Sequence, residues 1–209
     1  MDQPPQPVIQ WNDALEQLIC NEAEKASGLS WLHNKAEAHY SRLANFLQIP
    51  VIVLSTITGF LSGATIEGLP NIALGAISIS VGVLGTINSY FGFQRRAEGH
   101  KLGATQYSAI HKTLAIEMSL PRTQRQPPKV LLKLIKDELA RLAEILPRIP
   151  DGIILLYKKE IISKSQDVEH PEITNGIHAV SAFSSPTPPQ NEVVEVKDAK
   201  SGVVIKMEV

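Results

Sequence analysis

The residues able to do chemistry in this chain are few, and their spacing argues mostly against it. Six histidines come first, because imidazole ligates metals and exchanges protons near neutral pH. His33 with His39, and His100 with His111, miss the i, i+4 spacing that sets two ligands on one helical face, so no metal site is expected. His100 and His111 fall instead on an otherwise apolar seam. Protonation there would loosen packing, and a hydrogen-bonded structural histidine is the plainer expectation. The single cysteine, Cys20, can make no intramolecular disulfide, and no CxxC or Cys/His cluster is present. There is no GxSxG, no GxxxxGK and no GxGxxG between strand and helix. FGFQRRAEGHKLG is glycine-bearing but continues a long apolar helix, so it is not a phosphate loop. The acid–base candidates nearest the apolar stretches are His39, Glu67, Glu98 and His100, and Glu67 falls on the opposite side from the others. The expectation is a non-enzyme without cofactors, catalytic residues or metal ligands.

A second kind of chemistry, helix association, is written more clearly. Asn71, Gly75, Ser78, Gly82, Gly85 and Ser89 recur at alternating spacings of four and three and trace one helical face. Upstream, Gly59 and Gly63 form GxxxG, while Gln48, Ser55, Thr58, Ser62 and Thr65 fall on a stripe. In lipid, which is as apolar as leucine, helices associate through close backbone approach and hydroxyl bonding, and such seams permit both. Ser55, Thr58, Gly59, Ser62, Gly63, Gly75, Ser78, Gly82, Gly85 and Ser89 are therefore the expected helix-packing or pore-lining residues. Packing is favoured over pore lining, because Ser and Thr commonly bond their own i−4 carbonyl or a neighbouring helix.

These faces need helices to carry them. Leu43 to Ile66 contains no charged residue and as a helix covers about 36 Å, enough to span hydrocarbon. Gly68 to Gln94 is again charge-free. Between them EGLPN offers turn chemistry and room only for an antiparallel return, which predicts a hairpin with spans 47–66 and 71–93. Pro50 is expected to kink the first span. Lys35 and Arg42 precede the spans and Arg95, Arg96 and Lys101 follow them, whereas the loop carries only Glu67. Arg42, Arg95 and Arg96 thus read as flank anchors, with both termini cytoplasmic. Tyr40 and Phe46 at the entry, and Tyr90, Phe91 and Phe93 at the exit, suit an interface level. Neither span holds Asp, Glu, Lys, Arg or His, which disfavours proton relays and ion-coupled transport. A soluble bundle with two buried core helices is the minority alternative.

Outside the spans the pattern predicts cytoplasmic helices 12–27, 31–46, 94–119 and 129–146. Asn12 or Asp13 caps the first, Gly28 ends it, and Ser30 caps the next, which runs into the first span. Phe93, Ala97, His100, Ala104, Tyr107, His111, Leu114 and Met118 form a coiled-coil-like seam. Leu132, Ile135, Leu139, Leu142 and Leu146 form another stripe, and DGIILLYKKEII is an apolar element too short to span. Residues 1–10 and 165–209 have disorder-prone composition, although VVEVKD and VVIKMEV offer a marginal hairpin or a docking segment. The fold class expected is all-α: a two-span transmembrane helical hairpin continuous with a cytoplasmic helical bundle, domain 11–163, plus a disordered tail.

A tryptophan-bearing juxtamembrane helix, two charge-free spans with a tight turn, and a helix leaving through YFGFQRRAEGHKLGATQYSAIHKTLAIEM together resemble the SLATT-type two-transmembrane families, over roughly residues 11–163. The most specific stretch is Phe93 followed by Ala97, Glu98, His100, Gly103 and Tyr107. The resemblance implies a membrane effector, in its sharper version a pore former, of families often joined to nucleotide-sensing domains; no sensor is recognisable here. The expected function is a two-pass integral membrane protein that self-associates through small-residue faces, with the lipid bilayer and further copies of itself as partners. The alternative is a structural or adaptor membrane protein, for example a viral membrane component, recruiting protein partners through its cytoplasmic helices and tail. A net charge of −1 gives no basic field, so nucleic acid is not an expected partner.

Overall fold

The computed structural model describes residues 9–63, 71–165 and 167–175. Residues 1–8 of the proline-rich start, residues 64–70 at the expected turn, and the VVEVKD and VVIKMEV segments lie outside the described residues. Every regular element among those described is helical: α1 (Asp13–Gly63), α2 (Asn71–Phe91), α3 (Phe93–Ser119), α4 (Pro128–Ile145), α5 (Asp151–Tyr157) with a π-helical turn at Lys158–Ile162, and α6 (Glu172–Asn175).

α1 is one uninterrupted helix of 51 residues. Asn12 starts it, its side chain accepting from the Leu15 amide at 2.8 Å. The break expected at Gly28 does not occur. Glycine costs a helix about 1 kcal/mol relative to alanine, and the packing here requires one. A Cβ at position 28 would lie 2.7 Å from both Tyr157 Oη and Pro171 Cδ. Ser30 likewise caps nothing; from mid-helix its hydroxyl donates to the Ala104 carbonyl at 2.9 Å. Pro50 lies inside the same helix.

α1 and α3 pack antiparallel. His111 meets the carbonyl of Ala23, Ser30 meets Ala104, His33 meets His100, and Tyr40 stacks near Phe93. The facing positions of α1 include Ile19, Ala23, Ala26, Ser30 and His33, buried at alternating spacings of four and three, and Ala44 two heptads beyond Ser30. Many are small, as are Ala97, Gly103 and Ala104 opposite, which lets two long backbones approach closely. α4 closes one side with Leu131, Ile135 and Leu142, and Trp11 and Met118 complete the apolar cluster around Ile19 and Leu114. Arg122 and Arg125 tie the α3–α4 link to Asp13 and Glu16 at the start of α1. Arg122, donating to Glu16, holds that carboxyl below the usual carboxylate range.

Residues 167–175, expected from their composition to belong to a disordered tail, pack against the bundle instead. His170, Pro171 and Thr174 are buried, the Glu169 amide donates to Glu24 at 2.7 Å, and Glu172 pairs with Lys25 at 2.7 Å. Tyr157 is the pivot. It meets Trp31 edge-on at 5.3 Å and donates to His170 Nδ1 at 3.0 Å, while His170 Nε2 donates to the Ser165 carbonyl at 3.0 Å.

Candidate functional site

The apolar ends of the long helices are the first site. Among the described residues of α2 none is buried, and none of the residues in the most apolar stretch of α1 is buried either. Phe46, Phe60, Ile72 and Ile79 are 75%, 73%, 84% and 70% exposed. A core helix of a water-soluble protein turns such side chains inward.

α2 packs against α1 through large residues. Val51, Leu54, Thr58 and Leu61 on α1, and Leu74, Ile77, Val81, Leu84 and Asn88 on α2, are the half-buried positions. Asn88 Nδ2 donates to Gln48 Oε1 at 2.7 Å, a polar clasp at the base of the pair. The residues read as a packing seam lie elsewhere. Ser55, Gly59, Ser62, Gly63, Gly75, Ser78, Gly82 and Ser89 are exposed, Gly85 is half-exposed, and of the ten only Thr58 shares the α1 face toward α2. Among the described residues, a Cβ at Gly59, Gly63, Gly75, Gly82 or Gly85 would meet nothing within 4 Å. The small-residue face of α2 therefore points away from α1.

Five hydroxyls on these stretches are internally satisfied. Thr56, Thr58, Ser78, Ser80 and Thr86 each donate to the carbonyl four residues earlier at 2.8 or 2.9 Å. A satisfied hydroxyl can face an apolar medium at small cost, whereas an unsatisfied one cannot.

Gly92 joins α2 to α3 in a left-handed conformation, φ 56° and ψ 40°, where a Cβ is penalised. Its role lies in the register of the seams. Continuing the α2 rhythm from Leu84 and Asn88 would place the next inward positions at Phe91 and Arg95, but those are exposed and the inward positions are Phe93 and Ala97. The phase slips by two residues, about 200° around a helix. Without the joint, the α3 seam would face away from α1. The chain does continue from α2 as a helix, as expected, but through this turn.

The second site is a histidine pair where α1 and α3 cross. His33 Nδ1 and His100 Nδ1 are 3.0 Å apart and both rings are buried. Tyr40 stacks parallel to His100 with centroids at 5.4 Å, and Tyr107 tilts against His33 at 5.6 Å. Gly103 admits the His33 ring; a Cβ there would come within 2.7 Å of Nδ1. One ring must donate and the other accept. His100 Nε2 is buried without a partner, so the arrangement leaving no orphan N–H at His100 has its Nδ1 donate to His33. Burial, then the neighbouring His100 charge, pushes the His33 pKa down to about 4. Burial, then Arg96, lowers His100. The pair is neutral at pH 7 and resists protonation.

Reading along one helix at a time missed this pair. The signal was the heptad position of both residues, 34 and 33 positions from Glu67, where the sequence predicts the turn. His111, by contrast, is the structural histidine expected, donating from Nδ1 to the Ala23 carbonyl at 2.9 Å. Among the described residues no three of His, Cys, Asp or Glu gather as metal ligands would. Arg42, Arg95 and Arg96 are exposed and make no ion pair among the described residues; Arg96 lies over the Tyr40 ring at 5.8 Å. Compared with protein-family models, curated proteins and solved structures, the chain matches none.

Proposed function

We propose that this chain is a two-pass integral membrane protein with both ends in the cytoplasm, assembling through the small-residue faces of its spans into an oligomer, in the sharper version a pore. One observation carries the reading. Two helices, one of 51 residues and one of 48 running from Ile72 to Ser119, are packed along their polar portions and bare along their apolar ones. Water would penalise that exposed apolar surface, at about 25 cal/mol per Å², and lipid would not. The outward seam supports assembly. Because the glycines leave open space beside α2, a second copy can approach its backbone closely.

Gly82→Leu with Gly85→Leu tests this. Neither new side chain meets anything among the described residues at its Cβ, so the monomer is expected to insert normally while crosslinked oligomers disappear. Oligomers unchanged in the double variant remove the seam's role. Leakage of small dyes from reconstituted liposomes tests the pore. Tight vesicles favour the second reading, an adaptor, which Ile116, Val130 and Leu134 on the outside of the α3–α4 bundle support, since they are 63%, 55% and 46% exposed.

A further inference from the structure

A pocket of ≈ 510 Å³ opens beside the Gly92 joint, lined by Arg95 and Arg96 with Tyr90, Phe91, Ile145 and Pro147. That volume is within the range of ordinary ligand sites. Its position follows from two features already described. The left-handed turn at Gly92 separates the aromatic end of α2 from the arginines of α3. The link after α4 then comes down on the first turns of α3, so closely that a Cβ at Gly99 would lie 2.9 Å from Pro147 Cδ.

The lining changes character across this short distance. Tyr90, Phe91 and Ile145 present exposed apolar surface, continuous with the charge-free α2. Arg95 and Arg96 follow one turn later and make no ion pair among the described residues. The carboxylate next along, Glu98, accepts from Gln94 at 3.2 Å. A guanidinium without a carboxylate partner has its donor fork free, and that fork matches phosphate oxygens. A ligand suited to this lining is anionic at one end and apolar at the other.

We propose that the pocket binds the phosphate headgroup of an anionic phospholipid, with Arg95 and Arg96 on the phosphate and Tyr90, Phe91 and Ile145 against the glycerol and upper acyl region. The inference rests on the membrane reading, which sets the end of α2 at headgroup level. It goes beyond a basic flank, because a flank attracts anionic lipid diffusely whereas a pocket selects it at one place.

The test uses the full chain reconstituted in equal parts phosphatidylcholine and phosphatidylglycerol, with native mass spectrometry reading the ratio of the two lipids retained. The wild type is expected to retain phosphatidylglycerol preferentially. Arg95→Gln with Arg96→Gln should reduce that preference by about fivefold per arginine. Ile145→Trp, which fills the pocket and leaves every charge in place, should reduce it too, while Arg148→Gln, outside the lining, should not. A preference that survives Ile145→Trp, or that falls equally with Arg148→Gln, identifies diffuse surface charge and overturns the pocket. Retention of inorganic phosphate by the lipid-free protein in detergent assigns the site to a soluble anion and overturns the lipid. Carbonate extraction of the same preparations separates the two failures: release of wild type refutes the membrane reading, whereas retention without lipid preference refutes only the pocket.

Discussion

Acid should weaken the bundle through the His33–His100 pair, and the size of the effect can be worked out. Unfolded, His33 titrates near 6.5; folded, burial lowers it to about 4. The native state therefore binds fewer protons than the unfolded state throughout that interval, so stability falls as pH falls. The contribution is fully present above pH 6.5, begins to be lost below it, and is gone once pH has passed about 4. Between pH 7.5 and pH 5 the loss from His33 alone comes to about 2 kcal/mol, at about 1.4 kcal/mol per unit. His100 shifts in the same direction and adds to it. Charges facing the pair do not reverse the sign, since Arg96 opposes protonation and the other ring neighbours, Tyr40 and Tyr107, bring no carboxylate. Trp11 and Trp31, the only tryptophans, both pack in the bundle. Urea unfolding of the full chain in detergent, followed by their fluorescence, should show a midpoint lower by about 1 M at pH 5 than at pH 7.5, given typical m-values. In His33→Gln with His100→Gln that difference should shrink to the background of the remaining groups. A pH dependence equally steep in the double variant would refute the reasoning.

Other perturbations give separate outcomes. Gly92→Ala should cost about 1 kcal/mol because Ala resists the left-handed region, and Gly92→Val more; nothing lies within 4 Å of that Cβ, so a wild-type urea midpoint would mean the joint is not required. Gly28→Leu should displace Tyr157 and Pro171 and release the segment around residues 167–175, read as new protease cleavage there while the α1–α3 pairing persists. Gly152→Ala, with open space at its Cβ in α5, should stabilise by up to about 1 kcal/mol of helix propensity and so raise the urea midpoint slightly; a lowered midpoint would contradict the open geometry.

The parts legible in the sequence are those governed by periodicity and charge. The α3 seam from Phe93 to Met118 is the face that packs on α1, and α4 lies within a residue of the span read from its leucines. Both are local repeats of period near 3.5, which need no knowledge of partners. What escaped depends on residues distant in the chain. Gly28 looks like a helix end until Tyr157 and Pro171 arrive beside it, and Ser30 looks like a cap until Ala104 lies opposite. The composition of residues 167–175 resembles a tail, but burial of Pro171 and Thr174 outweighs it. The small-residue stripe of α2 was readable as a stripe, whereas its direction was not: the larger residues one step around the helix fill the space against α1 and leave the glycines outward.

The central claim is that the bare apolar lengths of α1 and α2 are solvated by lipid. Alkaline carbonate extraction of membranes carrying the full chain tests it most directly, because carbonate strips peripheral proteins and leaves spanning helices in place. The account predicts that the chain stays in the membrane pellet, together with the Gly82→Leu and Gly85→Leu double variant. Recovery of the wild-type chain in the supernatant as a folded, soluble helical protein would contradict it.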